Sequence, residues 1–262
     1  MSRLDLLIIL HNATQLHLTI DIGNTRTKWG LFNGGELVQA DTWDFADVEW
    51  LHGLIQSHGV GQAIICSVAD KSFAQELATA LSCKCEVFTH QTPVPIINHY
   101  KTPETLGMDR VAVVVGAFSL YKNENVLVID AGTCATVDFV DSQSNYQGGS
   151  ISPGMQMRLD AMHHFTQRLP QFEANRAAKL MGQTTEEAIQ SGAVNGFVLE
   201  MEGFIKHYQN ETNDLMQVVT TGGNGAFLAE RLTLPTQSFY PNLSLIGLNE
   251  SILYAETLAL KG

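Results

Sequence analysis

The sequence is poor in charge, and poorest in positive charge. Its 262 residues include 15 Lys or Arg against 27 Asp or Glu, for a formal net charge of −12 with only 16% charged residues. A chain this acidic has no basic stripe to lay along a phosphate backbone, so general nucleic-acid binding is excluded as a class. A single anionic ligand, held by a few cations and backbone N–H groups, is not. Low charge combined with 45% hydrophobic residues excludes disorder and provides for a large core. Cysteine is scarce, with four at positions 66, 83, 85 and 134. They form neither a C-x-x-C pair nor a zinc spacing, and Cys83 and Cys85 lie too close together to staple a domain. The expectation is four reduced thiols in a cytoplasmic protein. No apolar run reaches the roughly 18 residues of a membrane span. The opening Leu4–Leu10 run contains Asp5 and is followed by His11 and Asn12 rather than a small-residue cleavage site. Residues 1–15 therefore read as an N-terminal extension, not a signal peptide. A G-x-x-x-x-G-K-[ST] phosphate loop is also lacking.

What is present is a repeated pattern. Leu16, Leu18 and Ile20 alternate with polar neighbours and predict a strand over 15–21. A glycine turn (Ile22-Gly23-Asn24-Thr25) leads into a strand over 27–32, and Asn33-Gly34-Gly35 signals a hairpin returning a strand over 36–42. Helices at 46–58 and 70–82 then alternate with strands at 62–68 and 85–89, which implies parallel pairing. Pro93, Pro95 and Pro103 mark 90–105 as loop, and 106–121 is apolar and helical in length. From Asn125 the pattern restarts: an apolar strand ends in Asp130, the turn Ala131-Gly132-Thr133 follows, and strands at 134–141 and 146–151 flank a turn. Asp21 and Asp130, 109 residues apart, thus head two copies of strand, aspartate, glycine turn, strand. That is an internal duplication. The remainder reads as helix 154–167, loop to about 183, helix 185–209, strand 216–221, a helix from 224, a short strand near 238 and a final helix 244–259.

Four constellations carry candidate chemistry. In Asp21-Ile22-Gly23-Asn24-Thr25-Arg26-Thr27-Lys28, Gly23 permits close backbone approach and the turn offers N–H groups to phosphate oxygens. Asp21 is placed to hold a metal ion, directly or through water, and Lys28 to add positive charge. Alone, the segment is equally an ordinary hairpin turn. Asp130-Ala131-Gly132-Thr133 repeats the logic, and two such turns heading duplicated units can grip one polyphosphate. Gly222-Gly223-Asn224, at a strand-to-helix turn, lets a flat base or ribose pack on the backbone; by itself it is a helix start capped by Asn224. Thr102 to Ala112 (TPETLGMDRVA) sets an acid beside a base at the head of a helix. Asp109 is a candidate general base towards a hydroxyl, and Arg110 a fork for a carboxylate. Asp is favoured in a first helical turn in any case, whereas Arg is not.

The three glycine turns together resemble the actin-like ATPase and sugar-kinase superfamily. The resemblance narrows to the type III pantothenate kinases through ordered matches: DIGNT at 21–25, TPETLGMDRVA at 102–112, DAGTCATVD at 130–138, GGSISPGMQM at 148–157, RLP at 168–170, GQTTEEAIQSG at 182–192 and TGGN at 221–224. It implies an α/β fold of two duplicated ribonuclease-H-like domains with an active-site cleft between them. The expected boundaries are 16–118, joined by the final helix 244–262, and 119–243. The implied reaction moves the γ-phosphoryl of ATP to pantothenate. Asp109 would be the base, residues 21–28 and Thr133, Gly222 and Gly223 would bind ATP, and Asp21 would anchor Mg²⁺ through water. Asp130 would hold K⁺ or NH₄⁺. Tyr100, Gly107, Met108, Asp109, Arg110 and Thr185 would contact pantothenate, with Thr184 and Thr185 interchangeable as ligand or helix cap. A homodimer is implied, with the glycine-bearing 185–209 helix near its interface or else in the core. A regulatory relative without activity, and a phosphotransferase for another small acceptor, are the competing readings. The first would be expected to lose Asp109, Asp130 or a phosphate turn, and all are retained.

Overall fold

The structure, a computed structural model, describes residues 15–43, 47–68, 71–212 and 215–261; the expected extension at 1–15 lies outside them save for its last residue. Two compact units result. One comprises the described residues up to Ile97, Lys101–Ser119 and the chain from Asn242 onward; the other comprises Asn98–Tyr100 and Leu120–Pro241.

The first unit is built on β1 (Leu16–Ile22), β2 (Thr27–Asn33), β3 (Glu36–Trp43), β4 (Val60–Ser67) and β5 (Lys84–Val87), in the order β3-β2-β1-β4-β5. The β1–β2 and β2–β3 pairs are antiparallel, and β1–β4 and β4–β5 parallel. The second sheet contains β6 (Ile97–Asn98), β7 (Asn125–Ala131), β8 (Cys134–Val140), β9 (Asn145–Pro153), β10 (Met216–Thr221) and β11 (Gln237–Phe239), in the order β11-β10-β7-β8-β9-β6. Without the two-residue edge strand β6 the two orders are the same, and so are the parallel and antiparallel relations. β1 and β7 are both seven residues long, share one pattern of burial, four consecutive buried residues between half-buried ones, and carry Asp21 and Asp130 at their sixth position. The duplication read from spacing is therefore a duplication of topology and register.

Helices complete each unit. In the first, α1 (Val48–His58) is capped by Asp47, whose carboxylate accepts the N–H groups of Glu49 at 2.9 Å and Trp50 at 3.2 Å, and it ends at Gly59 with φ of 64°. Together with α2 (Lys71–Ala80) it covers a core of Leu18, Ile20, Leu31, Leu51, Ala63, Ile65 and Leu77. The last helix, α8 (Leu243–Ala259), packs on β1, β2 and β4 of the same unit. It also crosses α3 (Met108–Leu120) at two glycines: a Cβ added to Gly116 or to Gly247 would overlap the backbone of the other helix. Only the absent side chains let these helices approach so closely.

The second unit buries Leu127, Ile129, Val137, Phe197, Met201, Val218 and Leu228 under α4 (Met155–Phe165), α6 (Gly196–Thr212) and α7 (Gly225–Arg231). The helix expected over 185–209 is interrupted. It consists of α5 (Thr185–Gln190), one π turn (Ser191–Asn195) and α6. The cause is a loop clipped onto the turn: Ser191 Oγ donates to Leu180 O at 2.6 Å and Asn195 Nδ2 to Lys179 O at 3.0 Å. Among the described residues no helix is long and apolar enough to cross a membrane.

Candidate active site

The first unit gathers Asp21, Lys28, Asp109 and Ser244. Asp21 is half-buried near the C-terminal end of β1, with Lys28 opposite it on β2 and Cys66 opposite it on β4. Ser244, in the first turn of α8, donates its hydroxyl to Asp21 Oδ2 at 2.6 Å. Burial pushes the Asp21 carboxyl above its ordinary value, the Ser244 hydrogen bond and the Lys28 charge pull it back, and the Asp109 charge pushes it up again; the net shift is upward. The following turn is closed by Gly23 N–H to Arg26 O at 3.1 Å, with Asn24, Thr25 and Arg26 exposed. Ile22 and Thr27 differ from the rest of the expected ATP-binding segment. Their side chains are buried, so the peptide backbone is what they can offer a phosphate.

Asp109 stands at the second residue of α3, behind the half-buried Met108. Its Oδ1 accepts the Arg110 backbone N–H at 2.9 Å and lies 2.5 Å from where a Gly107 Cβ would sit, so a side chain at 107 would push the carboxylate out of this position. Arg110 is 4% exposed, which keeps its guanidinium largely desolvated one residue from the Asp109 carboxylate. The same two carboxylates reach Cys66, whose thiol burial, Asp21 and Asp109 together push far above the ordinary range.

The second unit gathers Asp130, Thr133, Gly222 and Gly223. Asp130 pairs in register with Thr136 on β8 and Thr221 on β10, so the three side chains share one face of the sheet. The Thr136 hydroxyl is buried without a hydrogen-bond partner. Gly222, at φ of 84°, lies against Asp130, and a Cβ there would overlap Oδ1. Asn224 N–H donates to Ala131 O at 2.9 Å, tying the Gly222-Gly223 turn to the Gly132-Thr133 turn. Asn224 begins α7 without a side-chain cap. Its Oδ1 instead accepts from Arg176 at 3.0 Å, while the same guanidinium donates to Gly223 O at 3.3 Å and lies 5.9 Å from the Phe227 ring. Thr133 is exposed, and its carbonyl accepts the Gly154 N–H at 3.1 Å. A Cβ on Gly154 would overlap both Gly132 O and Thr133 O, so the GGSISPG segment clamps this turn.

Tyr100 also belongs to the second unit. Asn98 Oδ1 accepts its N–H at 2.9 Å, and its ring lies 3.3 Å from where a Gly148 Cβ would be. Thr184 caps α5, its hydroxyl accepting the Glu187 N–H at 3.2 Å, which leaves the exposed Thr185 without that duty. Ser244, Arg176 and Gly154 were not read as site residues. Ser244 sits in an apolar run and reaches Asp21 from 223 positions away, and no sequence signal points to Arg176.

The donor sets fit the ions the resemblance implies. Among the described residues no cluster of three or more His, Cys, Asp or Glu exists to cage a metal. A single carboxylate such as Asp21 suits Mg²⁺ that arrives with nucleotide phosphates and keeps its waters. Asp130 beside the orphaned Thr136 hydroxyl is an all-oxygen set, which suits a hard monovalent cation.

Comparison with known proteins places the chain. A family model described as type III pantothenate kinase matches residues 17–207. A type III pantothenate kinase of Phocaeicola vulgatus is 39% identical over 244 residues, covering 93% of this chain and 100% of that protein. One of Flavobacterium johnsoniae is 37% identical over 217 residues, covering 82% of this chain and 88% of that protein. Solved structures agree in fold. A Campylobacter jejuni protein assigned to the Baf family has a TM-score of 0.60 at 20% identity, covering 92% of this chain and 99% of that one. An activator of 2-hydroxyisocaproyl-CoA dehydratase from Clostridium difficile, with bound ADPNP, has 0.53 at 11% identity, covering 94% and 96%. With matches to the family model and to curated members over most of its length, the chain belongs to the type III pantothenate kinases.

Proposed function

We propose that this protein transfers the γ-phosphoryl group of ATP to the primary hydroxyl of pantothenate, giving 4′-phosphopantothenate, the first step towards coenzyme A. The observation that carries the reading is Asp109 at the head of α3, electrostatically coupled to Asp21 beside the glycine turn. Phosphoryl transfer needs positioning and charge neutralisation more than covalent chemistry. Asp109 takes the proton of the attacking hydroxyl, held in orientation by the Arg110 N–H. The backbone from Gly23 to Thr27, with Lys28, holds phosphate oxygens. Arg110 supplies the cation for the pantothenate carboxylate, and Gly107, Met108, Tyr100 and Thr185 line the acceptor. Thr133 contacts ATP from the second glycine turn, and Gly222-Gly223 carries the adenosine. Mg²⁺, associated with Asp21 through water, supplies charge neutralisation at the phosphates when bound, and K⁺ or NH₄⁺ at Asp130 adds to it.

The working assembly is a cytoplasmic homodimer. Large apolar side chains stand exposed on the second unit: Phe165 ends α4, Leu180 and Met181 precede α5, and Leu199 lies on α6. Large apolar side chains left exposed on one unit are what a partner surface would cover. The decisive assay is phosphorylation of pantothenate by the purified protein with MgATP, with and without K⁺, beside Asp109→Asn. Turnover that needs K⁺ and falls at least 10²-fold in the variant, the scale of a lost general base, supports the base and the cation. A folded, ATP-binding protein that leaves pantothenate untouched refutes the substrate.

A further inference from the structure

We infer that the C-terminal helix is part of the catalytic apparatus, and that Ser244 is a positioning residue for Asp21. The inference rests on the reading that Asp21 receives the metal–nucleotide complex.

Ser244 is 5% exposed and is flanked by Leu243 and Leu245, both fully buried. An aliphatic side chain would be the ordinary choice in such a turn. A hydroxyl is found instead, and it donates to Asp21 Oδ2 at 2.6 Å across 223 positions of sequence. A desolvated carboxylate is costly without donors, and this one also feels the charge of Asp109. Ser244 commits one oxygen and so fixes the plane of the carboxylate. The other oxygen then has one orientation in which to receive a metal-bound water. The start of α8 adds a favourable dipole at the same place. The helix has a second hold on the site. Its Gly247 crosses Gly116 of α3, the helix whose first turn carries Asp109. One element thus sets the orientation of Asp21 by a hydrogen bond and the placement of Asp109 by packing, both within the first unit.

Partners that orient a metal-site carboxylate typically change metal affinity by about 10–100-fold when removed. The test uses Mn²⁺ as the probe. Its binding to the full-length protein with ADP is followed by electron paramagnetic resonance, beside KM values for MgATP and for pantothenate. Ser244→Ala is expected to weaken Mn²⁺–nucleotide binding on the order of tenfold. It should raise KM for MgATP by a similar factor and leave KM for pantothenate unchanged. Ser244→Thr, which keeps the hydroxyl, should behave as wild type, and the equally shaped Ser244→Val should behave as the alanine variant. In an Asp21→Asn background the Ser244→Ala change should add nothing. Wild-type Mn²⁺ affinity in both Ser244→Ala and Ser244→Val overturns the inference, whatever their thermal stability. If Asp21→Asn itself binds Mn²⁺–ADP normally, the metal reading of Asp21 falls and takes the inference with it. Loss in Asp21→Asn with full affinity in the Ser244 variants overturns the inference alone.

Discussion

Gly247→Ala should damage catalysis far more than stability. A Cβ at Gly247 would overlap the carbonyl oxygen of Ala112 and sit 2.8 Å from both the Ala112 carbonyl carbon and the Gly116 nitrogen. These are backbone atoms of α3 and cannot rotate away, so the helices must separate by roughly 1.5 Å to restore ordinary contact distances. Overpacking of this kind costs about 1–3 kcal/mol. Alanine returns up to about 1 kcal/mol of helix propensity. The net loss is about 0–3 kcal/mol, or at most about 10 degrees in Tm for a unit of this size. The displaced helix, however, carries Asp109 on its first turn, and a misplacement of about 1 Å can cost 10²-fold in rate. The assay pairs kcat with unfolding followed by tryptophan fluorescence. Trp29, Trp43 and Trp50, all the tryptophans of the chain, form one cluster in the first unit, with ring centroids 4.5–5.5 Å apart. Gly53→Ala in α1 is the control: nothing stands within 4 Å of its added Cβ, so it should keep full kcat and gain stability slightly. A Gly247→Ala enzyme with wild-type kcat and Tm would refute the account of the crossing.

Three further outcomes follow from the second unit and the thiols. Gly154→Ala should push the Gly132-Thr133 carbonyls aside and raise KM for MgATP about tenfold or more, with Tm lowered by the overlap; an unchanged KM would show that the turn does not touch nucleotide. Thr136→Lys should place an ammonium beside Asp130, as Lys28 stands beside Asp21, and make both turnover and ATP-induced thermal stabilisation independent of K⁺; retained K⁺ dependence would move the cation elsewhere. Iodoacetamide at pH about 8 should label the exposed Cys134 first, because burial pushes Cys85 up to about 12 and raises Cys83 and Cys66. Peptide mapping with and without ATP checks this, and labelling that ATP does not slow would separate Cys134 from the nucleotide.

Much of this was legible in the sequence because it is local. Alternation marked β1 and a continuous apolar run marked β7, Asn33-Gly34-Gly35 closed its hairpin with Gly34 at φ of 57°, and Asp21 and Asp130 marked equivalent strand positions. What stayed hidden depends on contacts between distant segments. Ser244 reads as one more position in an apolar helix, and Gly247 as a mild defect in it, until α8 is laid against β1 and α3. The π turn was invisible because its cause is a clip from residues 178–180, not its own composition. Arg176 lies in a loop whose sequence has no period, and only its bonds to Gly223 and Asn224 place it at the glycine turn.

The duplication gives a structural reason for the proposal that two like carboxylates serve unlike ions. Register makes Lys28 and Thr136 equivalent, each opposite the sixth residue of its strand, and makes Cys66 and Thr221 equivalent on the other side. Asp21 therefore has a fixed cation across the strand pair and a thiol too deeply buried to ionise. Positive charge is thus built in beside it, and on the proposed reading it would add an oriented oxygen for a hydrated divalent ion. At the same positions Asp130 has two hydroxyls, oxygens that neutralise no charge but can coordinate one. On the proposed reading, a mobile monovalent cation at Asp130 would do what Lys28 does at Asp21. If the proposed cation site holds, a dependence on K⁺ would trace to a threonine standing where the first copy of the repeat keeps a lysine.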